Sequence, residues 1–332
     1  NHGITHRLDQ YQKAAEELDL ALSLGYNTSD AYYKIGKAYL GLARNSSDLT
    51  HYQQSLDALD KAVELGLSTA DLFYDRAIAY LAFSEYLPSL SHYQQAIEDL
   101  GKAMELGLTT ANVYYLRSVA LIAIAEYLPD ESVYKKAIQD LDKALDLDLD
   151  TKSHDSETGQ YFAYFAYYQR GIAYLALAEY SPTETNYQQA INDLDKARSF
   201  DCNCDDKGNI DDLLLKRAIA YFARGEFSPN QSDYEQAIND LDGFINRYPT
   251  NVEAYYKRAM AYLALAKYSS DPDYSKKAIH DLDKVLELDP TATDVYYYKA
   301  KAYDGLDQYE DAIVILDKIL DLDSADANTY AA

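Results

Sequence analysis

Large apolar, small and aromatic residues recur along this chain at the spacing of one helix face, and then a second such face follows after a polar connection. The first pattern is an aromatic residue or Leu, a small residue four later, and Tyr or Leu three after that. The first slot holds Tyr32, Phe73, Tyr114, Tyr167, Leu214, Tyr255 and Tyr296, and the small slot holds Gly36, Ala77, Ser118, Gly171, Ala218, Ala259 and Ala300. Tyr39, Tyr80, Leu121, Tyr174, Tyr221, Tyr262 and Tyr303 complete it. The i, i+4, i+7 spacing predicts α-helix, and a small residue on that face lets a neighbouring helix approach closely.

The second pattern is the phrase Tyr-x-x-Ala-Ile-x-Asp-Leu-Asp-Lys-Ala, whose first small anchor falls at Ala14, Ser55, Ala96, Ala137, Ala190, Ala237, Ala278 and Ala312. The steps between anchors are 41, 41, 41, 53, 47, 41 and 34 residues, so one unit recurs with two inserts and one shorter copy. A fixed period of this size is the signature of a repeat architecture, here a helical hairpin per unit. Arg76, Arg117, Arg170, Arg217 and Arg258 share one slot of the first helix; Asp99, Asp140, Asp193, Asp240 and Asp281 share one slot of the second. Where the first slot is Ile35 the second is Ala58, which predicts an Arg–Asp pair inside each hairpin. Lys299 opposite Ile315 breaks that rule and leaves pairing with the preceding unit open.

The aromatic, small, Tyr, Ala, Leu, Ala order over two helices resembles the tetratricopeptide repeat (TPR) family across essentially the whole chain, and the 34-residue final step is that family's own period. The resemblance implies an all-α, right-handed superhelical solenoid of helix-turn-helix repeats, most of them extended from 34 to about 41 residues. The units read as a half repeat 1–28, repeats 29–69, 70–110 and 111–149, an insert 150–163, repeat 164–203, an insert 204–210, repeats 211–251, 252–292 and 293–326, and a partial repeat 327–332. The extra residues lie between the two helices, as in Leu87 to His92, and would form a raised rim along one edge. Ser181-Pro182-Thr183-Glu184 reads as an N-cap, a first-turn Pro and a capping-box Glu, so part of the extra length lengthens the second helix.

In such a family the first helices line the concave surface, so the residue after each aromatic anchor should face a groove. Those are Tyr33, Tyr74, Tyr115, Tyr168, Leu215, Tyr256 and Tyr297; four further on come Lys37, Ile78, Val119, Ile172, Ile219, Met260 and Lys301. A tyrosine ladder can grip a peptide or a sugar by stacking and hydroxyl hydrogen bonds, or it can pack between helices; both readings stand at this point.

Composition narrows the function. Fifty-five acidic residues against thirty basic ones give a net charge of −25, which repels nucleic acid and anionic lipid. No stretch nears the about eighteen uncharged apolar residues of a membrane span, so membrane insertion is not expected. There is no Gly-rich phosphate loop or nucleophile elbow, and the carboxylates are spread along helices, so no enzyme and no obligatory cofactor is expected. The segment Asp201, Asn203, Asp205, Asn209 and Asp212 spaces oxygen ligands like a calcium loop, but Asp206 stands where that loop turns on Gly; a solvated acidic turn is the competing reading. Asn27, Asn45 and Asn230 begin Asn-x-Ser/Thr triplets in expected turns. Acidity, tyrosine content and the calcium-like loop tilt the location towards extracellular or cell-surface.

The chain shows no polar capping helix at either end, and solenoid ends need either a cap or a partner. Ala327 to Ala332 read as the start of another first helix with Tyr330 in the aromatic slot, and the first residues read as the tail of one. Leu8-Asp9-Gln10-Tyr11 repeats Leu306-Asp307-Gln308-Tyr309. Two functions follow: a non-enzymatic scaffold for a protein or peptide, or a homo-polymer formed head to tail, with Tyr330 of one copy packing near Leu8, Tyr11 and Leu18 of the next.

Overall fold

In the computed structural model, residues 2–46, 48–150, 157–200, 209–269 and 271–330 are described, and they form fifteen α-helices with no strand among them. In chain order these are α1 (His2–Ser23), α2 (Ser29–Ser46), α3 (Leu49–Glu64), α4 (Ala70–Ser84), α5 (Leu90–Glu105), α6 (Ala111–Tyr127), α7 (Glu131–Asp150) and α8 (Glu157–Tyr180). They continue with α9 (Glu184–Arg198), α10 (Asn209–Phe227), α11 (Gln231–Arg247), α12 (Val252–Ala266), α13 (Pro272–Leu288), α14 (Asp294–Asp304) and α15 (Tyr309–Tyr330). None of the described helices is long and apolar enough to cross a membrane.

The chain divides into two compact units, residues 1–173 and 174–332. In the first, each helix from α1 to α7 packs on the next, and the first helices α2, α4 and α6 also touch one another. In the second, α9 to α15 pack in the same consecutive way, with α10 touching α12. Each unit is therefore an all-α stack of helical hairpins whose core lies between the two helices of a hairpin and the helices of the next.

Local chemistry sets the boundaries. α3 and α5 end in Leu-Gly-Leu, with Gly66 and Gly107 at φ of 89° and 97°, a region that costs glycine little. Leu67 and Leu108 then donate back to the carbonyls of Ala62 and Ala103, closing the helix end. Asp48, Thr69, Asn230, Asn251 and Asp271 cap the N-termini of α3, α4, α11, α12 and α13 through their side chains. The connection Leu87 to His92 gives its last three residues to α5, which begins at Leu90. At Ser181 to Glu184 the cap falls two residues later than the sequence suggests. Thr183 is extended (φ −142°) and its hydroxyl accepts from the Asn186 N–H at 3.2 Å, leaving Ser181 outside the helix.

Three further boundaries differ from the sequence reading. α1 is one helix from His2, without a break before Leu8, and α15 runs unbroken to Tyr330 instead of starting a new first helix at Ala327. No Gly or Pro stands between Leu306 and Tyr330, so nothing in the sequence stops the helix. α8 begins at Glu157, inside the segment read as an insert. Asn45 lies in the last turn of α2, its amide donating to the Gly41 carbonyl at 2.7 Å.

The small slots do what close approach requires. A Cβ on Gly36 would lie 2.6 Å from Leu59 Cγ, so α2 and α3 touch where only glycine fits. Ala77, Ser118, Ala218, Ala259 and Ala300 are buried at the same place in later hairpins.

The arginine slot forms both of the pairings left open by the sequence. Arg76 donates from Nε and Nη2 to Asp99 at 2.7 and 2.6 Å, and from Nη1 to Asp60 of the preceding hairpin at 2.8 Å. Arg217 spans Asp240 and Asp195, and Arg258 spans Asp281 and Asp242, in the same way. In the phrases that begin at Asp240 and Asp281 the first Asp is held by its own hairpin, and Asp242 and Asp283, the second in each, are taken by the next. Arg117 pairs with Asp140 alone of these, since Gly101 stands where the second carboxylate would be, and Arg170 reaches Asp142 at 2.6 Å. Lys299 keeps only the outer partner, Asp283. The aromatic anchor three residues earlier lies over the guanidinium, 5.8 Å for Arg76 on Phe73 and 5.6 Å for Arg258 on Tyr255. Where that anchor is Leu214, Arg217 lies against Tyr221 instead.

Arg258 and Asp281 supply a test, because Asp281 is 1% exposed while Asp242 keeps contact with water. Stranding one charge of a buried pair costs about 3–5 kcal/mol, whereas replacing both is close to neutral. Thermal melts of Arg258→Leu should therefore show a large loss of stability, and Arg258→Leu with Asp281→Leu should recover most of it. Equal melting temperatures for the two variants would mean the pair is not coupled.

Candidate functional site

Successive first helices touch within each unit, and the six tyrosines singled out above stand on them in unequal surroundings. Tyr33 donates its hydroxyl to Asp75 Oδ2 on α4 at 2.8 Å, and Lys37 Nζ lies 3.4 Å from the same carboxylate. The three groups tie α2 to α4, with the Lys37 ammonium over the Tyr33 ring at 5.3 Å. Tyr74 is half-buried and packs with Leu116 of the next first helix. Tyr115 meets Phe162 edge to face at 5.7 Å. Tyr168 is buried, stacked parallel on Tyr164 at 6.2 Å, and belongs to the core of its unit rather than to an open face.

In the second unit Tyr256 meets Tyr298 edge to face at 5.9 Å, and the exposed Tyr297 packs edge-on against the same ring at 5.3 Å. Here a recess of about 290 Å³ opens among α10, α12 and α14. Tyr256, Met260 and Lys301, all expected to face a groove, line it, and Phe222, Tyr298 and Lys257 join them. These last three continue the helix faces by one more turn, or stand beside an anchor, which is the signal that a rule of fixed offsets overlooks. Lys257, Lys301 and the neighbouring Lys267 have no carboxylate partner among the described residues, in a chain with nearly twice as many acids as bases.

A larger recess, about 780 Å³, lies in the first unit between α1, α2 and α4. Tyr11 and Leu18 line it together with Tyr33, Lys37 and Arg44. Tyr11 lies so close to α2 that a Cβ on Gly41 would sit 2.5 Å from its ring. Leu8 packs with Ala15, Ala38 and Leu42. The side chain of Tyr330 is outside the described residues, as are Asp201, Asn203 and Asp205; Asn209 and Asp212 stand in the first turn of α10. Among the described residues no three His, Cys, Asp or Glu side chains group as a metal site.

Burial shapes the tyrosine chemistry. The Tyr115 phenol is pushed up to about 12 by loss of water and then by Glu85, and Tyr33 is raised further still, by burial and by its bond to Asp75. Both phenols are held neutral throughout the physiological range, and Tyr33 is thereby kept as a donor to Asp75.

Two outcomes follow from these placements. Tyr168→Ala should lose about 3–5 kcal/mol, the cost of deleting a core aromatic, while Tyr297→Ala should change stability by less than about 0.5 kcal/mol. Denaturant melts read both, and similar values would place the two rings in similar surroundings. For Tyr115 the proton is bound more tightly in the folded state, so its contribution is intact below the ordinary phenol value near 10 and is lost as pH rises through about 12. Melting temperature measured against alkaline pH should therefore fall less steeply in Tyr115→Phe than in the parent.

Two family models described as tetratricopeptide repeat match the chain, over residues 212–251 and 276–332. No curated protein sequence matches it. Among solved structures, the C-terminal part of a TPR repeat-containing protein from Cytophaga hutchinsonii is 18% identical, covering 92% of this chain and 98% of its own, at a TM-score of 0.49. A tetratricopeptide repeat protein from Parabacteroides merdae is 16% identical over 86% of this chain and 92% of its own, at 0.47. MamA from Desulfovibrio magneticus is 17% identical over 63% of this chain and 96% of its own, at 0.43. Over residues 212–251 and 276–332 the chain belongs to the tetratricopeptide repeat family, and the phrase that recurs along the rest of the sequence folds into consecutive hairpins of the same kind.

Proposed function

We propose that the chain is a non-enzymatic scaffold that binds polypeptide on the faces built by its first helices. The observation that carries this reading is the recess among α10, α12 and α14, where Tyr256, Tyr298, Met260 and Phe222 form an apolar floor. Rigid aromatic rings supply contact area at small entropic cost, and Met adapts to the shape of an incoming side chain. Lys257, Lys267 and Lys301 at the margin outnumber the one carboxylate there, Glu226, and give the recess a local positive charge that suits a peptide bearing both an apolar side chain and a carboxylate.

A second reading, assembly of copies head to tail, is favoured by one feature. α1 and the turn after it present Leu20 and Leu24 at 60% and 69% exposure, and α15 presents Ile313, Val314 and Leu320 at 58%, 58% and 66%. Each such face, if covered by another copy, contributes about 25 cal/mol per Å² of apolar area removed from water.

Panning a random peptide library on the purified protein tests the scaffold. Enriched peptides should pair an apolar residue with an acid, and Lys257→Glu with Lys301→Glu should weaken them by about tenfold or more while leaving helix content unchanged. Peptides that bind both proteins equally would remove the recess as the site. Light scattering of the same preparation separates the second reading, which requires long polymers that Leu20→Asp dissolves.

A further inference from the structure

The connections between first and second helices carry a regularity that the groove does not use. Thirteen residues past the aromatic anchor, where each first helix ends, stand Tyr86, Tyr127, Tyr180, Phe227 and Tyr268. All five rings are 43–53% exposed. Single exposed apolar residues are ordinary on a protein surface, but the same large ring half in water at the same place of five hairpins is a built feature. In the first unit Leu87 and Leu128 follow the rings and are 53% and 57% exposed. An exposed glutamate precedes four of the five, at Glu85, Glu126, Glu179 and Glu226.

The rings are also held in place. Tyr86 rests on Tyr52 at 5.9 Å, Tyr127 on Tyr93 at 6.4 Å, Phe227 on Tyr187 at 5.8 Å and Tyr268 on Tyr234 at 6.2 Å. The bracing rings of Tyr52, Tyr187 and Tyr234 are buried, and Tyr234 donates to Glu226 at 2.8 Å. A surface whose side chains are already ordered loses little freedom on binding. In the first unit two successive connections converge: the Tyr93 phenol is raised by burial first, then by Tyr127, Glu126 and Glu85. Neither Glu85 nor Glu126 has a cationic partner among the described residues.

We propose that Tyr86, Leu87, Tyr127 and Leu128, with Glu85 and Glu126, form a second docking surface, distinct from the groove, for a basic polypeptide segment. Arginine or lysine stems would lie over the rings, with their charges on the two glutamates and intervening apolar residues against the leucines. Charge complementarity selects this occupant. The patch is apolar and anionic, Arg44 beside Tyr52 forms no ion pair with its glutamates among the described residues, and the chain's net charge of −25 draws cationic partners towards it. A neutral sugar could stack on the rings but would leave the paired carboxylates without a counter-charge, and an acidic segment would be repelled. The second unit repeats the Glu-aromatic pair at Glu179-Tyr180 and Glu226-Phe227.

The test uses a fluorescein-labelled peptide alternating arginine and leucine, followed by anisotropy at physiological salt. Glu85→Gln with Glu126→Gln, and separately Tyr86→Ser with Tyr127→Ser, should each weaken binding by about tenfold or more. Glu98→Gln with Glu105→Gln removes the same charge from exposed sites on α5 and should change binding by less than about twofold. Equal losses in both glutamate pairs would reduce the effect to general attraction and overturn the proposal, as would rim variants that bind like the parent. Binding of a soluble gluco-oligosaccharide that the tyrosine variants lose, with no binding of the basic peptide, would overturn it in favour of a sugar platform. Circular dichroism checks each variant; should the tyrosine pair unfold, the glutamate pair decides alone, because it removes no packing.

Discussion

A guanidinium buried between two second helices is the constraint on which the rest of this structure depends. Arg76, Arg217 and Arg258 each sit near the middle of a first helix, shielded by an aromatic ring, and each needs carboxylates from both neighbouring second helices. Burial pushes the Asp99 and Asp240 carboxyls up even though the facing arginine pulls them down, so desolvation is the larger effect at the aspartate. Such pairs add little net stability. Their effect is on register, because a one-turn slip of either helix would leave a buried carboxylate and a buried guanidinium unpaired. Stability itself comes from apolar stacking: Leu59, Leu100, Leu141, Leu194, Leu241 and Leu282, the middle residue of each phrase, are fully buried.

The exceptions obey the same physics. In the first hairpin the arginine and its own aspartate are replaced together by Ile35 and Ala58, so no charge is stranded. In the last, Ile315 replaces the inner aspartate and Lys299 replaces the arginine; a point charge on a flexible stem needs only Asp283, the outer partner. Gly101 removes an outer carboxylate and leaves the inner bidentate pair of Arg117 and Asp140 intact. The outer partners that remain, Asp60, Asp142, Asp195, Asp242 and Asp283, are each 43–52% exposed, so the site that lost its carboxylate is one where water can solvate the guanidinium.

Much of this was legible in the sequence because repetition supplies its own controls. A residue type found five times at one offset, and lost together with its partner, identifies a pair without any structure. Helix periodicity and the small slots were legible for the same reason. What was not legible depended on neighbours that the repeat does not contain. Tyr168 shares the offset of Tyr297, yet it is buried, because α8 extends back to Glu157 and brings Tyr164 alongside it, whereas nothing covers Tyr297. A helix face fixes where a side chain starts, and the adjoining element decides whether it meets water. Boundaries failed similarly: α15 runs on to Tyr330 because a boundary inferred from periodicity lacked the Gly or Pro that ends a helix.

Fixing register in this way separates the interior of each hairpin from its surfaces. Once the arginine sets how one hairpin lies on the next, any position at a constant offset becomes a row on the surface of its unit. Offsets one and five past the anchor, the positions proposed to meet a polypeptide, vary: Tyr or Leu at the first, Lys, Ile, Val or Met at the second. The offset thirteen past the anchor faces the rim, and from the second hairpin to the sixth it holds only Tyr or Phe. A row that changes from one hairpin to the next can distinguish positions along a non-repeating partner. A row that stays the same can only recognise chemistry that repeats, or one short motif at several equivalent places. The two surfaces are thus suited to different kinds of occupant, and either can be altered without disturbing the buried charges that hold the stack in register.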